Sequence, residues 1–149
     1  MTPRFLIVEA RFYEDIADHL VTGATAALDS EGVLYDRVEV PGALEIPTAI
    51  HFAALEAPRY YQGFIALGCV IRGETSHYDY VCGESIRGLH QLALTQDLAV
   101  GNGILTVEDR EQADARANPA RKNKGKDAAM AALSLYRLRR QFHDLGIGA

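Results

Sequence analysis

GFIALGCVIRGETSHYDYVCG, residues 63–83, changes character twice along its length. Gly63–Ile71 is apolar throughout and ends abruptly at Arg72-Gly73. A short apolar run bounded in this way reads as a strand covered on both faces, the kind found in the middle of a parallel sheet. Glu74-Thr75-Ser76-His77 forms a polar loop. An amphipathic, helical pattern then runs from Tyr78 to about Thr95. Strand, tight loop and helix make one unit of a parallel α/β sheet, and such sheets bind ligands beyond the carboxyl ends of their strands. The loop therefore sets a base (His77), two hydroxyls (Thr75, Ser76) and three charges (Arg72, Glu74, Asp79) where chemistry is possible. The residues alone leave His77 with two roles. It is a proton-transfer group, or Ser76-His77 is only the cap of a helix.

The rest of the chain repeats this grammar. Arg4–Glu9 reads as a short buried strand, followed by a helix over about Glu14–Ser30 with Ile16, Leu20, Ala24, Ala27 and Leu28 on one face. Val33–Val40 is a second strand, stopped by Pro41-Gly42-Ala43. The next helix begins near Glu45 or Ile46, with Pro47 acceptable only in its first turn, and runs to about Leu55. Leu98–Val107 is the fourth strand. Its internal Gly101-Asn102-Gly103 marks a bulge or a close backbone approach. Glu108–Arg116 is a short helix, Asn118-Pro119 breaks it, and a last helix spans about Asn123–His143 with Leu135, Leu138, Phe142 and Leu145 on one stripe. This order predicts an α/β fold, a three-layer flavodoxin-like sandwich around a four-stranded parallel sheet, with residues 1–149 as a single domain.

Composition narrows the function class. The net charge of −5 argues against general nucleic-acid binding. No apolar run approaches the length of a membrane span, and the N-terminus lacks the pattern of a signal peptide. Cys69 and Cys82 make no disulfide framework, which suits a reducing cytoplasm. There is no CxxC, HExxH or metal-spaced histidine pair, so no metal site is expected, and there is no P-loop, GxGxxG or GxSxG.

Unusual residues gather where strands end. Phe12 follows the first strand and suits stacking on a flat ring, or plain core packing. Glu45 near a helix start can hold ligand hydroxyls or simply suit the helix dipole. Arg116, Arg121, Lys122, Lys124 and Lys126 form a basic run before a helix N-terminus, where cations are electrostatically misplaced. A bound anion would resolve the conflict; a solvated loop is the other reading. These features describe an α/β enzyme acting on small molecules, with a phosphorylated substrate as one option.

Five blocks in order, ARFYEDI (10–16), VPGALEIP (40–47), ALGCVIRGETSHYDYVC (66–82), GILTVEDREQADAR (103–116) and NKGKDAA (123–129), resemble the 6,7-dimethyl-8-ribityllumazine synthase family over nearly the whole chain. The resemblance implies condensation of 5-amino-6-(D-ribitylamino)uracil with 3,4-dihydroxy-2-butanone 4-phosphate in riboflavin biosynthesis, with no cofactor. Carried over by position, it implies that Phe12 stacks on the pyrimidine. It places Ala43, Leu44 and Glu45 around the pyrimidine substrate, with Glu45 on the ribityl hydroxyls. Cys69, Val70 and Ile71 then present backbone groups to the ring edge. Glu74 and Thr75 lie against the phosphate-bearing substrate, His77 transfers protons, and a neighbouring subunit's copies of Arg116 and Lys124 hold the phosphate. Leu44 and Asn102 stand where many relatives have aromatic residues, Asn102 at a position that reaches the neighbour's site.

The resemblance also implies a homopentamer with sites between subunits. Capsid-forming relatives often carry a glycine-rich bend between the last two helices. Here the bend, Ala117–Lys122, has no glycine, and a free pentamer is the expectation; the chain also starts without the extension that many relatives add to the next subunit. The competing readings are a lumazine- or flavin-binding protein, or a specialised paralogue of low activity, on the same scaffold. A carrier needs Phe12 and Glu45 but has no use for His77 and Arg116.

Overall fold

In the computed structural model, which describes residues 2–148, four strands form one all-parallel sheet. In chain order the elements are β1 (Arg4–Ala10), α1 (Glu14–Ser30), β2 (Leu34–Val40), α2 (Ile46–Glu56, entered through a 3-10 turn at Ala43–Glu45), β3 (Gly63–Ile71), α3 (His77–Gln96), β4 (Val100–Val107), α4 (Arg110–Ala117) and α5 (Lys124–Gly148). The sheet order is β2-β1-β3-β4. It is the doubly wound arrangement in which the chain moves outward in one direction from β1 and in the other from β3.

Strand alternation divides the core in two. Phe5 and Ile7 of β1, Ile65 and Leu67 of β3, and Leu105 and Val107 of β4 face a layer made by α1, α4 and α5. Leu6, Val8, Phe64, Ala66 and Ile104 face α2 and α3. A sheet covered on both faces explains why β1 and β3 read as unbroken apolar runs. The three-layer α/β sandwich expected from the element order is the fold observed.

Most element boundaries fall within two residues of those expected, and two of the differences, at α4 and α5, are instructive. α4 starts at Arg110 rather than Glu108 because Asp109 takes an extended backbone and its side chain accepts the Gln112 N–H at 2.9 Å, capping the helix two residues later. α5 runs on past His143, and its expected stripe is not the buried face. Leu135, Leu138, Phe142 and Leu145 are exposed, and Ala128, Ala129, Ala132 and Leu133 face the sheet instead. The reason lies at β4. A Cβ at Gly101 would collide with the Ala128 carbonyl, so the strand and helix backbones approach closely and only alanine fits between them. From Arg137 to Ile147 every residue is exposed.

Candidate active site

The turn after β1 is built by an ion network. Glu9 continues the β1 pattern on the α1 side but is only 3% exposed. A buried carboxylate needs partners, and two guanidiniums supply them. Arg37 of β2 donates through Nε at 2.7 Å and Nη2 at 2.9 Å, and Arg11 donates through Nη1 at 2.8 Å. Burial raises the Glu9 pKa, but the hydrogen bonds and charges of Arg37 and Arg11 outweigh it and hold the carboxyl below the usual range. Arg11 also pairs with Glu14 and Asp18 of α1. Burial disfavours its charge, and the three carboxylates more than restore it. The backbone at Arg11 is thereby tied to both β1 and α1. The next side chain, Phe12, projects outward at 76% exposure, with Tyr13 edge-on to it at 4.9 Å between ring centres.

Three further segments meet Phe12 at this edge. Gly42 is extended, and the 3-10 turn Ala43–Glu45 brings Leu44 and Glu45 forward before α2 begins at Ile46, with Pro47 in the first turn. β3 outruns its neighbour: its ladder to β1 ends at Glu9↔Leu67, whereas its ladder to β4 continues to Ile71↔Val107. Gly68–Ile71 therefore keep a strand edge without a β1 partner. The third segment is the first turn of α3, which presents His77. Ser76 at its start caps nothing with its side chain. Instead the His77 N–H donates to Thr75 Oγ1 at 3.3 Å, so the loop rather than Ser76 shapes the helix start.

Together these segments line a cavity of about 250 Å³ between Phe12, Tyr13, Gly42–Glu45, Cys69–Ile71, His77 and Val81. It lies beyond the carboxyl ends of β1 and β3, the pair between which the strand order reverses, where doubly wound sheets bind ligands. The side chains of Cys69 and Ile71 pack toward the α1 layer and that of Val70 toward α2 and α3. A cavity touching all three consecutive residues meets the strand along its backbone. Burial pushes the Cys69 thiol up to about 12, so it is not a nucleophile at neutral pH.

Glu74 and Thr75 sit on the exposed loop next to this cavity without lining it. The loop is anchored at its base by Arg72, whose guanidinium pairs with Glu108 at 2.8 Å and Asp79 at 3.6 Å and lies 4.3 Å from the Tyr78 ring centre. The remaining candidates are elsewhere in the protomer. Asn102 is exposed on β4, opposite Ala66, and its Oδ1 accepts the Ile104 N–H at 2.9 Å. Arg116, at the end of α4, donates to the Gln112 carbonyl at 3.1 Å, and Lys124, at the start of α5, lies 3.4 Å from Asp127. One protomer thus gathers Phe12, Ala43, Leu44, Glu45, Cys69, Val70, Ile71 and His77, and does not bring Asn102, Arg116 or Lys124 to them.

The family model for 6,7-dimethyl-8-ribityllumazine synthase matches residues 2–140. The chain belongs to the 6,7-dimethyl-8-ribityllumazine synthase family. It is 54% identical over 144 residues to the 6,7-dimethyl-8-ribityllumazine synthase of Bartonella bacilliformis, covering 97% of this chain and 95% of that one. It is 56% identical over 140 residues to that of Erythrobacter litoralis, covering 93% and 97%. It is 56% identical over 139 residues to 6,7-dimethyl-8-ribityllumazine synthase 1 of Rhizobium meliloti, covering 91% of each.

Two cavity residues of this lumazine synthase family member are not evident from motif reading. Tyr13 follows Phe12 and braces it edge-on. Val81 stands one helical turn after His77, and the i,i+4 spacing that puts both on one face is the signal that finds it. Among the described residues no cluster of His, Cys, Asp and Glu could hold a metal ion, and no helix is long and apolar enough to cross a membrane.

Proposed function

We propose that the chain, acting as one domain, condenses 5-amino-6-(D-ribitylamino)uracil with 3,4-dihydroxy-2-butanone 4-phosphate to give 6,7-dimethyl-8-ribityllumazine, phosphate and water, as a cytoplasmic step of riboflavin biosynthesis. The observation that carries the reading is the cavity at the β1/β3 reversal, which combines an exposed aromatic ring, an open strand edge, a carboxylate and an imidazole. In this reading Phe12 stacks on the pyrimidine, Ala43 and Leu44 flank it, and Glu45 accepts hydrogen bonds from the ribityl hydroxyls. The backbone of Cys69, Val70 and Ile71 pairs with the polar edge of the ring.

The chemistry asks the protein for orientation and proton movement. The 5-amino group attacks the ketone and water leaves as an imine forms; phosphate is then eliminated, the resulting enol becomes a carbonyl, and the ribitylamino nitrogen closes the ring on that carbon with loss of a second water. His77 serves the proton transfers, an imidazole being able to give and take a proton near neutrality. Holding two reactants in register supplies much of the rate. Glu74 and Thr75 lie against the phosphate-bearing substrate.

The partner surface would be a second copy of the chain. A cavity of about 250 Å³ is below the common size of ligand sites. Arg116, Lys124 and Asn102 stand outside it in their own protomer. A homopentamer in which one subunit lends these residues to the next completes the site, with Arg116 and Lys124 binding the phosphate and Asn102 reaching the pyrimidine pocket. The bend Ala117–Lys122, which lacks glycine, favours a free pentamer over a capsid.

The test is lumazine formation from the two substrates, followed by absorbance and fluorescence. Saturable formation above the spontaneous rate is expected. Binding of the pyrimidine with no acceleration would replace the enzyme with a lumazine-binding protein.

A further inference from the structure

Gly23 occupies the interior of α1, where glycine costs stability relative to alanine, and it touches nothing in the cavity. Its surroundings account for it. A Cβ at Gly23 would collide with Asn123 Oδ1 and come within 3.1 Å of the Lys126 backbone nitrogen. The contact is reciprocal: a Cβ at Gly125 would collide with the Leu20 carbonyl. Gly125 admits the α1 backbone, and Gly23 admits the Asn123 side chain with the α5 backbone just beyond it, so the first turn of α5 is seated directly on α1.

Asn123, between these glycines, is itself unusual. It holds a left-handed backbone, φ 51°, and its buried Oδ1 has no hydrogen-bond partner among the described residues. Left-handed non-glycine residues cost energy and persist where the surroundings over-determine them. The bend around Asn123 is tied down throughout. Asn123 N–H and Arg121 N–H both donate to the Asn118 carbonyl, at 3.2 and 2.9 Å, Lys122 N–H donates to the Ala115 carbonyl at 3.1 Å, and Ala120 N–H donates to Asn118 Oδ1 at 2.9 Å. The bend therefore links the end of α4, which carries Arg116, to the start of α5, which carries Lys124, and the glycine seat fixes both against α1.

We propose that Gly23 is a positioning residue for phosphate binding: it lets Asn123 seat the α4–α5 bend on α1, and so sets the spacing of Arg116 and Lys124. The inference rests on the reading of Arg116 and Lys124 as the phosphate-binding pair. The methyl group added by Gly23→Ala would push Asn123 outward and move Lys124 with it, while α1 and the Phe12 turn that precedes it stay in place.

The experiment compares Gly23→Ala, Asn123→Gly and the double variant, with Arg116→Ala and Lys124→Ala as references. Four quantities are read: KM for the phosphate substrate, KM for the pyrimidine, kcat, and amide exchange at the α5 start. Gly23→Ala is expected to raise KM for the phosphate substrate about tenfold, the equivalent of one charge-assisted hydrogen bond, leave the pyrimidine KM within about twofold, and speed exchange in the first turn of α5. Asn123→Gly keeps the left-handed backbone, which glycine adopts freely, and removes the colliding side chain. The double variant should therefore recover the phosphate KM. Faster exchange with an unchanged phosphate KM would make Gly23 merely structural and overturn the proposal, as would loss of affinity for both substrates alike or a double variant no better than Gly23→Ala. If Arg116→Ala and Lys124→Ala themselves leave the phosphate KM unchanged, the reading of the phosphate site falls and the proposal falls with it, a result the reference variants identify directly.

Discussion

Arg37 Nε donates to Glu9 Oε2 at 2.7 Å, closing from β2 onto a carboxylate that β1 carries into the core. The pair, joined by Arg11, fixes the strand end from which Phe12 projects. Because the folded state holds the Glu9 carboxyl below its ordinary value of 4.5, the pairing stabilises the protein fully above that value, and the contribution is lost as pH falls through the lower, folded pKa. Glu9→Gln should cost about 2 kcal/mol near neutrality, the scale of hydrogen bonds to a charged group. In urea titrations at a series of pH values, the gap between wild type and variant should narrow below pH 4.5. A gap independent of pH would mean that the loss is one of shape rather than charge.

Phe12 is more than three-quarters exposed, at 76%, so it contributes little to the protomer core. Phe12→Ala should leave stability within about 0.5 kcal/mol and weaken pyrimidine binding by about 1 kcal/mol or more, the scale of an aromatic contact. Calorimetric titration of the pyrimidine substrate measures the second effect. Unchanged affinity would exclude stacking.

Local order was easier to read than long-range pairing. β3 is legible because an apolar run closed by Arg72-Gly73 states its burial and its end together. α1 is legible because Ile16, Leu20, Ala24 and Leu28 keep helical spacing, and all are buried. The α5 stripe misleads because periodicity shows that a face is apolar, not what covers it. The small residues Ala128, Ala129 and Ala132 carry the contact because Gly101 draws the helix in. Among the cavity residues, Phe12, Glu45 and His77 stand out as chemistry placed just after strands. Glu9 hides in an apolar strand, and its partner Arg37 is 28 residues away. Arg72 and Glu108, which anchor the His77 loop, are 36 apart. Spacing rules do not reach such distances.

His77 is exposed at the start of α3, and its side chain makes no hydrogen bond among the described residues. Its backbone, held by Thr75, is what defines the helix start. His77→Ala should therefore preserve the fold and pyrimidine affinity and lower kcat by about 10²-fold or more, the lower range of general acid–base contributions. Single-turnover measurements separate the two quantities. A variant that binds poorly but turns over bound substrate at the normal rate would make His77 a binding group instead.

The separation of Arg116 from the cavity of its own protomer gives the sharpest test of shared sites. Arg116→Ala should raise KM for the phosphate substrate more than for the pyrimidine, since Arg is suited to hold phosphate by paired hydrogen bonds. If the site spans two subunits, His77→Ala and Arg116→Ala disable different partners. Unfolding the two variants together and refolding them as mixed oligomers then restores sites in which an intact His77 meets an intact Arg116. With equal amounts and random assembly, half times half, or about a quarter of the sites, should regain activity. A control refolded from each variant separately and then combined without exchange should stay as inactive as its parts. Mixed oligomers with no more activity than that control would place Arg116 and His77 in the same subunit's site, or remove Arg116 from the site altogether.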